Sequence, residues 1–184
     1  MTTAPLALID RFAVIEETLD AFRGAIAGDL AAYRGHVYRV FNFCRALAPG
    51  VPDGDDKIAL AGSFHDLGLW SDHTVDYLSP SARRLRAHLE RDGRLAWSAE
   101  LERMVVWHHK LTPYRGEDAT LVEAFRQADL VDLSLGWVGF GLPAAFVREV
   151  QAAFPTVGFH RRVMQLVGAW AVTHPLRPFP MMRL

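Results

Sequence analysis

Apolar residues recur along this chain at helical spacing, in runs that end at Gly, Pro or Asp. From Pro5 to about Ile26, the residues Leu8, Ile9, Phe12, Ile15, Leu19 and Phe22 repeat in this way with charges between them. They predict a first amphipathic helix, weakened at its end by Gly24 and Gly28. Asp29 caps a second helix to about Leu47, with the stripe Tyr33, Val37, Val40, Phe41 and Cys44. Pro49-Gly50-Val51-Pro52 breaks the pattern, Asp53 caps the next helix, and Gly68 stops it. Leu69 to Ser79 reads as irregular or as a single turn. Ser79-Pro80 starts a helix that ends near Asp92-Gly93. Ser98 caps another, running to about Lys110, and Leu111 to Asp118 is a loop. Helical spacing resumes at Leu121 and continues to about Leu133. Gly136, Gly139 and Gly141 interrupt it, Pro143 starts a helix to about Phe154, and a last helix runs from about Val157 to Thr173. Pro175, Pro178 and Pro180 exclude helix from the tail. No stretch sustains the alternation of a strand. The expectation is an all-α fold, a single globular helical domain over residues 1–184 with roughly eight helices.

Composition narrows the function classes. With 51% hydrophobic and 22% charged residues, the chain has the make-up of a soluble globular protein. A formal net charge of −1 gives no reason to expect a nucleic-acid partner or a polybasic membrane surface. No uncharged apolar run is long enough to span a bilayer, and Asp10, Arg11, Glu16 and Glu17 set the first helix apart from a signal peptide. Cys44 is the only cysteine, which excludes an intrachain disulfide and a Cys-rich zinc site and suits a cytoplasmic location. Cys44 and the tryptophans Trp70, Trp97, Trp107, Trp137 and Trp170 are expected to pack. The apolar Gly136–Gly141 stretch is a lid or a contact surface. His160, Arg161 and Arg162 form a basic spot, either surface or a substrate contact.

The polar residues that fall on apolar stripes change the picture most. His65 and Asp66 end the small, apolar run Leu60-Ala61-Gly62-Ser63-Phe64. Taken alone, the pair fits either a buried hydrogen-bonded couple or two adjacent metal ligands. His36 sits on the stripe of Tyr33 and Val40. His88 follows Leu85, and His108 continues Leu101, Met104 and Val105. Asp129 continues Val122 and Phe125. Several inward histidines and two inward aspartates are hard to satisfy by hydrogen bonds alone. Neutral imidazole and carboxylate are ligands that divalent Zn, Mn and Fe accept, so the cluster points to metal. Of the adjacent His108 and His109, the stripe favours His108, because one residue turns a side chain by roughly 100° around a helix.

The order His36, His65-Asp66, Asp129 resembles the signature of the HD superfamily of metal-dependent phosphohydrolases, over about residues 30–134. Those proteins are all-α, with ligands converging from separate helices. The intermediate histidines resemble the two-metal branch, which includes HD-GYP phosphodiesterases and di-iron oxygenases related to myo-inositol oxygenase. Trp107-His108-His109-Lys110 is similar to the paired His of HD-GYP proteins. The Gly-Tyr-Pro element that follows there is replaced here by Leu111-Thr112-Pro113-Tyr114, which argues against a cyclic dinucleotide substrate. The resemblance implies two ions, Fe, Mn or Zn. One would be held by His36, His65, Asp66 and Asp129. The second would be held by His88 and His108, with Asp66 bridging and His109 replacing or joining His108. It implies a metal-dependent hydrolase that attacks a small phosphate ester or nucleotide through a metal-bridging hydroxide. Asp66, His73 and Lys110 are the candidate catalytic residues. Asp72, Lys110, Arg115 and Arg126 are candidate substrate contacts; the alternative is a solvated surface charge for Lys110, Arg115 and Arg126, and a polar turn for Asp72. The alternatives are an HD-type di-iron oxygenase, a cyanamide hydratase-like hydro-lyase, and a non-catalytic metal-binding domain.

Overall fold

A computed structural model describes residues 7–182. Among them every regular element is helical, as the patterning predicts. Eight helices have nine residues or more: α1 (Ala13–Ala21), α3 (Leu30–Leu47), α4 (Gly54–Phe64), α6 (Leu78–Arg91), α7 (Ser98–Trp107), α8 (Ala119–Leu133), α9 (Ala144–Ala153) and α10 (Phe159–Thr173). Two single turns, α2 (Arg23–Ile26) and α5 (Gly68–Ser71), complete the α-helical set. No helix among the described residues is long and apolar enough to cross a membrane.

The helix α3 is the axis of the fold, and it packs most extensively against α8 and α4. The α6–α7 pair closes the other side of α4 and α8. The sequence of α4 explains its central place. From Ile58 to Phe64 every residue is buried, and Ala59, Ala61, Gly62 and Ser63 are small. A Cβ on Gly62 would already touch Val37 at 3.6 Å, so this face of α4 lies directly on α3. A helix apolar all round is a buried helix. One continuous core runs from Ile15 to Met181 and includes Cys44, which is fully buried.

The first helix is shorter than its periodicity predicts. Pro5 and Leu6 lie outside the described residues, and residues 7–12 are not helical. The side chain of Asn42 explains this: its Oδ1 accepts from Ile9 N at 2.8 Å and its Nδ2 donates to Ile9 O at 2.9 Å. Tyr38 Oη accepts from Phe12 N at 2.9 Å. These long-range bonds occupy the backbone groups that a helix would need. The expected caps also differ. Asp29 gives its carboxylate to Trp70 Nε1 and Arg162 Nε, both at 2.9 Å, and neither Asp53 nor Ser98 forms a side-chain cap. Trp137 is not a packing residue, being 91% exposed beyond α8.

Gly68 starts α5 and does not stop α4, which already ends at Phe64. Its N–H donates to Ser81 Oγ at 3.0 Å. A Cβ here would stand 2.7 Å from the Tyr77 carbonyl oxygen, a backbone atom that cannot swing away. Gly68→Ala should therefore push α6 off α5 and cost about 1–3 kcal/mol. A urea titration checks this; a variant as stable as the parent would contradict the close approach.

Candidate metal centre

Four elements deliver the polar residues to one buried point. His36 comes from the middle of α3, His65 and Asp66 from the turn after α4, His108 and His109 from the turn after α7, and Asp129 from α8. His36, His65, Asp66, His108 and Asp129 are each no more than 4% exposed. His36 Nε2 lies 2.8 Å from His65 Nε2 and 3.6 Å from both Asp66 Oδ2 and Asp129 Oδ1. His65 Nε2 lies 3.3 Å from Asp66 Oδ2 and 3.8 Å from Asp129 Oδ1. His108 Nε2 stands 3.4 Å from Asp66 Oδ1, and His109 Nδ1 stands 3.7 Å from Asp129 Oδ2.

The outward nitrogens fix what the inward ones can do. His65 Nδ1 contacts Gly62 O at 2.7 Å, His108 Nδ1 contacts Val105 O at 2.6 Å, and His36 Nδ1 contacts Asp132 Oδ2 at 2.7 Å. Carbonyl and carboxylate oxygens only accept, so each Nδ1 carries a proton and donates. In the neutral rings every Nε2 then presents a lone pair to the centre. Two such lone pairs face each other between His36 and His65, and His108 Nε2 and Asp66 Oδ1 are buried with no hydrogen-bond partner. Orphaned acceptors of this kind are costly in a dry interior, and a cation satisfies all of them together. The ring orientation set by an outer acceptor is that of metal-binding histidines.

Two groups of close donors result: His36, His65 and Asp66, and Asp66, His108 and His109. Each could hold a metal ion, and Asp66 belongs to both. The electrostatics fit. Burial would raise Asp66, but His65 and His108 hold its carboxyl well below the usual carboxylate range. Burial raises Asp129. Burial lowers His36, and burial with neighbouring His108 lowers His109 much further. Burial also disfavours charge on His65, yet Asp66 and Asp129 outweigh it and push its pKa up to about 9. Without a metal, a proton on His65 thus stands in for the cation the carboxylates demand.

The remaining sequence-predicted residues lie elsewhere. His88 is a correction: it sits in the last turn of α6, 3.1 Å from Asp92 Oδ2 one turn on, and joins neither group. Its ring rests against Phe64 with centroids 5.2 Å apart. His73 is exposed and lines a cavity of about 560 Å³ with Trp70, Thr74, Arg162 and Trp170. This cavity is separated from the cluster by an aromatic layer, in which Trp70 packs on Tyr33 at 4.6 Å and Phe159 stacks on His36 at 4.2 Å. Asp72 is engaged by Arg84 at 2.8 Å, which lowers its pKa. Arg126 is buried but neutralised by both carboxylate oxygens of Glu123, at 2.8 and 2.6 Å. Arg115 is exposed, and Lys110 is half-buried, its pKa lowered by burial.

Three residues that contact the cluster or its support escape the sequence pattern. Asp132 orients His36 and is itself gripped by Arg39 through Nε–Oδ1 and Nη2–Oδ2, the latter at 2.9 Å. Arg39 is fully buried. His160 Nε2 adds a contact to Asp132 at 3.4 Å, so the basic spot on α10 faces partly inward. The missed signal was simple: Arg39 lies one helical turn beyond His36, and Asp132 one turn beyond Asp129. Tyr77, whose hydroxyl meets His109 Nε2, lies in a stretch with no periodicity to betray it. No family model matches this chain, and no curated protein or solved structure shows significant similarity to it.

Proposed function

We propose that this protein is a metal-dependent hydrolase of the HD type, acting on a small phosphate ester or nucleotide. The observation that carries this reading is the pair of donor groups sharing Asp66, with the lone pairs of His36, His65 and His108 directed inward. Two neighbouring divalent ions would supply a water activated near neutral pH and polarisation of a phosphoryl oxygen. The chain's own residues would hold and orient the ions. His36, His65, Asp66 and Asp129 surround the first position, and Asp66, His108 and His109 the second. Asp132, Gly62 O and Val105 O keep the imidazoles in the ligating tautomer. The buried setting excludes bulk water and strengthens each charge interaction.

One feature favours a second reading, oxidation or hydration of a small uncharged substrate. Arg39 and Arg126, the fully or nearly buried guanidinium groups, are already neutralised by Asp132 and Glu123. Among the sequence-predicted phosphate contacts, this leaves Lys110 as the half-buried cation with no carboxylate partner among the described residues. Elemental analysis of anaerobically purified protein, followed by a screen of phosphomonoesters, nucleotides and small nitriles, separates the readings. Turnover of a phosphate ester, stopped by chelator and restored by Mn, Zn or Fe, is the expected result. A folded protein that binds no metal would end the proposal. Iron-dependent oxygen consumption without phosphate release would favour the second reading.

A further inference from the structure

The second donor group has one more oxygen beside it than its aspartate supplies. Tyr77 is 1% exposed, and its hydroxyl contacts His109 Nε2. Its ring stands 6.4 Å from that of His108 and meets that of His109 edge-on at 6.0 Å. Burial, together with the carboxylates of Asp66 and Asp129, holds its phenol well above the usual tyrosine range. The backbone holds it there. Ser81 N donates to Tyr77 O at 2.9 Å while Ser81 Oγ accepts from Gly68 N at 3.0 Å. The start of α6 is thereby clamped to the turn that carries His65 and Asp66, and the absence of a Cβ at Gly68 permits the approach.

We propose that Tyr77 is an oxygen ligand of the second metal position, beside Asp66, His108 and His109, when that position holds a trivalent ion. This rests on the two-position metal reading above. Phenolate is a hard anionic donor, suited to a small, highly charged cation. As the oxygen binds, its O–H bond breaks, the electron pair goes to the ion, and the proton leaves to water. No oxidant is needed for that exchange. The chain contains four tyrosines, and Tyr33, also buried, instead donates its hydroxyl to Ser63 O at 2.9 Å.

The probe is iron. Full-length protein is loaded with ferrous iron under argon, freed of excess, and oxidised with ferricyanide. Oxidation should produce a visible phenolate-to-iron(III) charge-transfer band. Tyr77→Phe should reduce it to the ferrous background with the iron content unchanged, whereas Tyr33→Phe should keep it. Circular dichroism establishes that both variants are folded. If Tyr77→Phe also sheds iron, resonance Raman excitation in the wild-type band decides. Phenolate ring modes support the assignment, and their absence overturns it. Iron retained without a band, or a band that survives Tyr77→Phe, overturns the ligand role and leaves the metal centre standing. Wild-type protein that retains no iron overturns both.

Discussion

Asp66→Ala is expected to strip both metal ions from the protein, while His65→Ala and His108→Ala each remove only one. The difference follows from membership. Asp66 belongs to both donor groups, His65 to the first and His108 to the second. Metal analysis on dialysed protein should therefore give about two equivalents for the parent, about one for each histidine variant, and close to none for Asp66→Ala. The loss is not a consequence of unfolding. In the metal-free chain Asp66 is the counter-charge of the proton on His65, so its removal lets His65 return to the neutral ring and leaves no unpaired buried charge behind. Circular dichroism should report an unchanged helical content. The added metal should raise the thermal midpoint of the parent and leave that of Asp66→Ala where it was, since a ligand stabilises only a fold that binds it. Full occupancy in Asp66→Ala would dispose of the shared-ligand geometry.

The residues that were legible in the sequence are those whose position is set by helix geometry. His36 and Asp129 lie on stripes of buried residues, Tyr33 and Val40 in one case and Val122 and Phe125 in the other. The stripe does turn them inward. His65 and Asp66 were marked by the small residues before them, and those small residues do bring α4 onto α3. His88 shows the limit of the method. Leu85 and Leu89 are fully buried as the pattern demands, but His88 stands on the flank of that stripe, where Asp92 offers a nearer partner. Periodicity identifies a face and says nothing about the partner. For the same reason the pattern leaves Arg126 either a substrate contact or a solvated charge, whereas Glu123 one turn earlier on the same helix neutralises it in the interior. The unwound residues 7–12 fail differently: their fate is decided by Asn42 and Tyr38, some thirty positions away, through bonds no local pattern encodes.

Arg39→Met is expected to be the most destabilising single change in the site's surroundings, at about 3–5 kcal/mol. Arg39 is fully buried, and Met replaces its length without its charge. The change leaves the buried carboxylate of Asp132 without its guanidinium partner. It also removes donors from the Phe154 and Pro155 carbonyls, at 2.9 and 3.3 Å, which tether the end of α9 to α3. The effect has a defined pH window. Burial would raise the Asp132 carboxyl, but His160, His36 and Arg39 hold it well below its ordinary value of 3.8. A depressed carboxyl contributes stability above its ordinary value and loses it as pH falls toward the folded one. The gap between parent and variant should accordingly be widest near neutrality and narrow below about pH 4. Urea titrations across that range measure it; a gap that widens with acid would contradict the pairing. Adding Asp132→Leu to Arg39→Met separates the two jobs of this network. A buried ion pair replaced whole by apolar groups is often neutral, so the double variant should recover much of the lost stability. It should not recover metal affinity, because His36 Nδ1 has lost the acceptor that fixes its tautomer, a loss worth about 10–100-fold in binding. Stability regained together with full metal affinity would mean that Asp132 serves the fold alone.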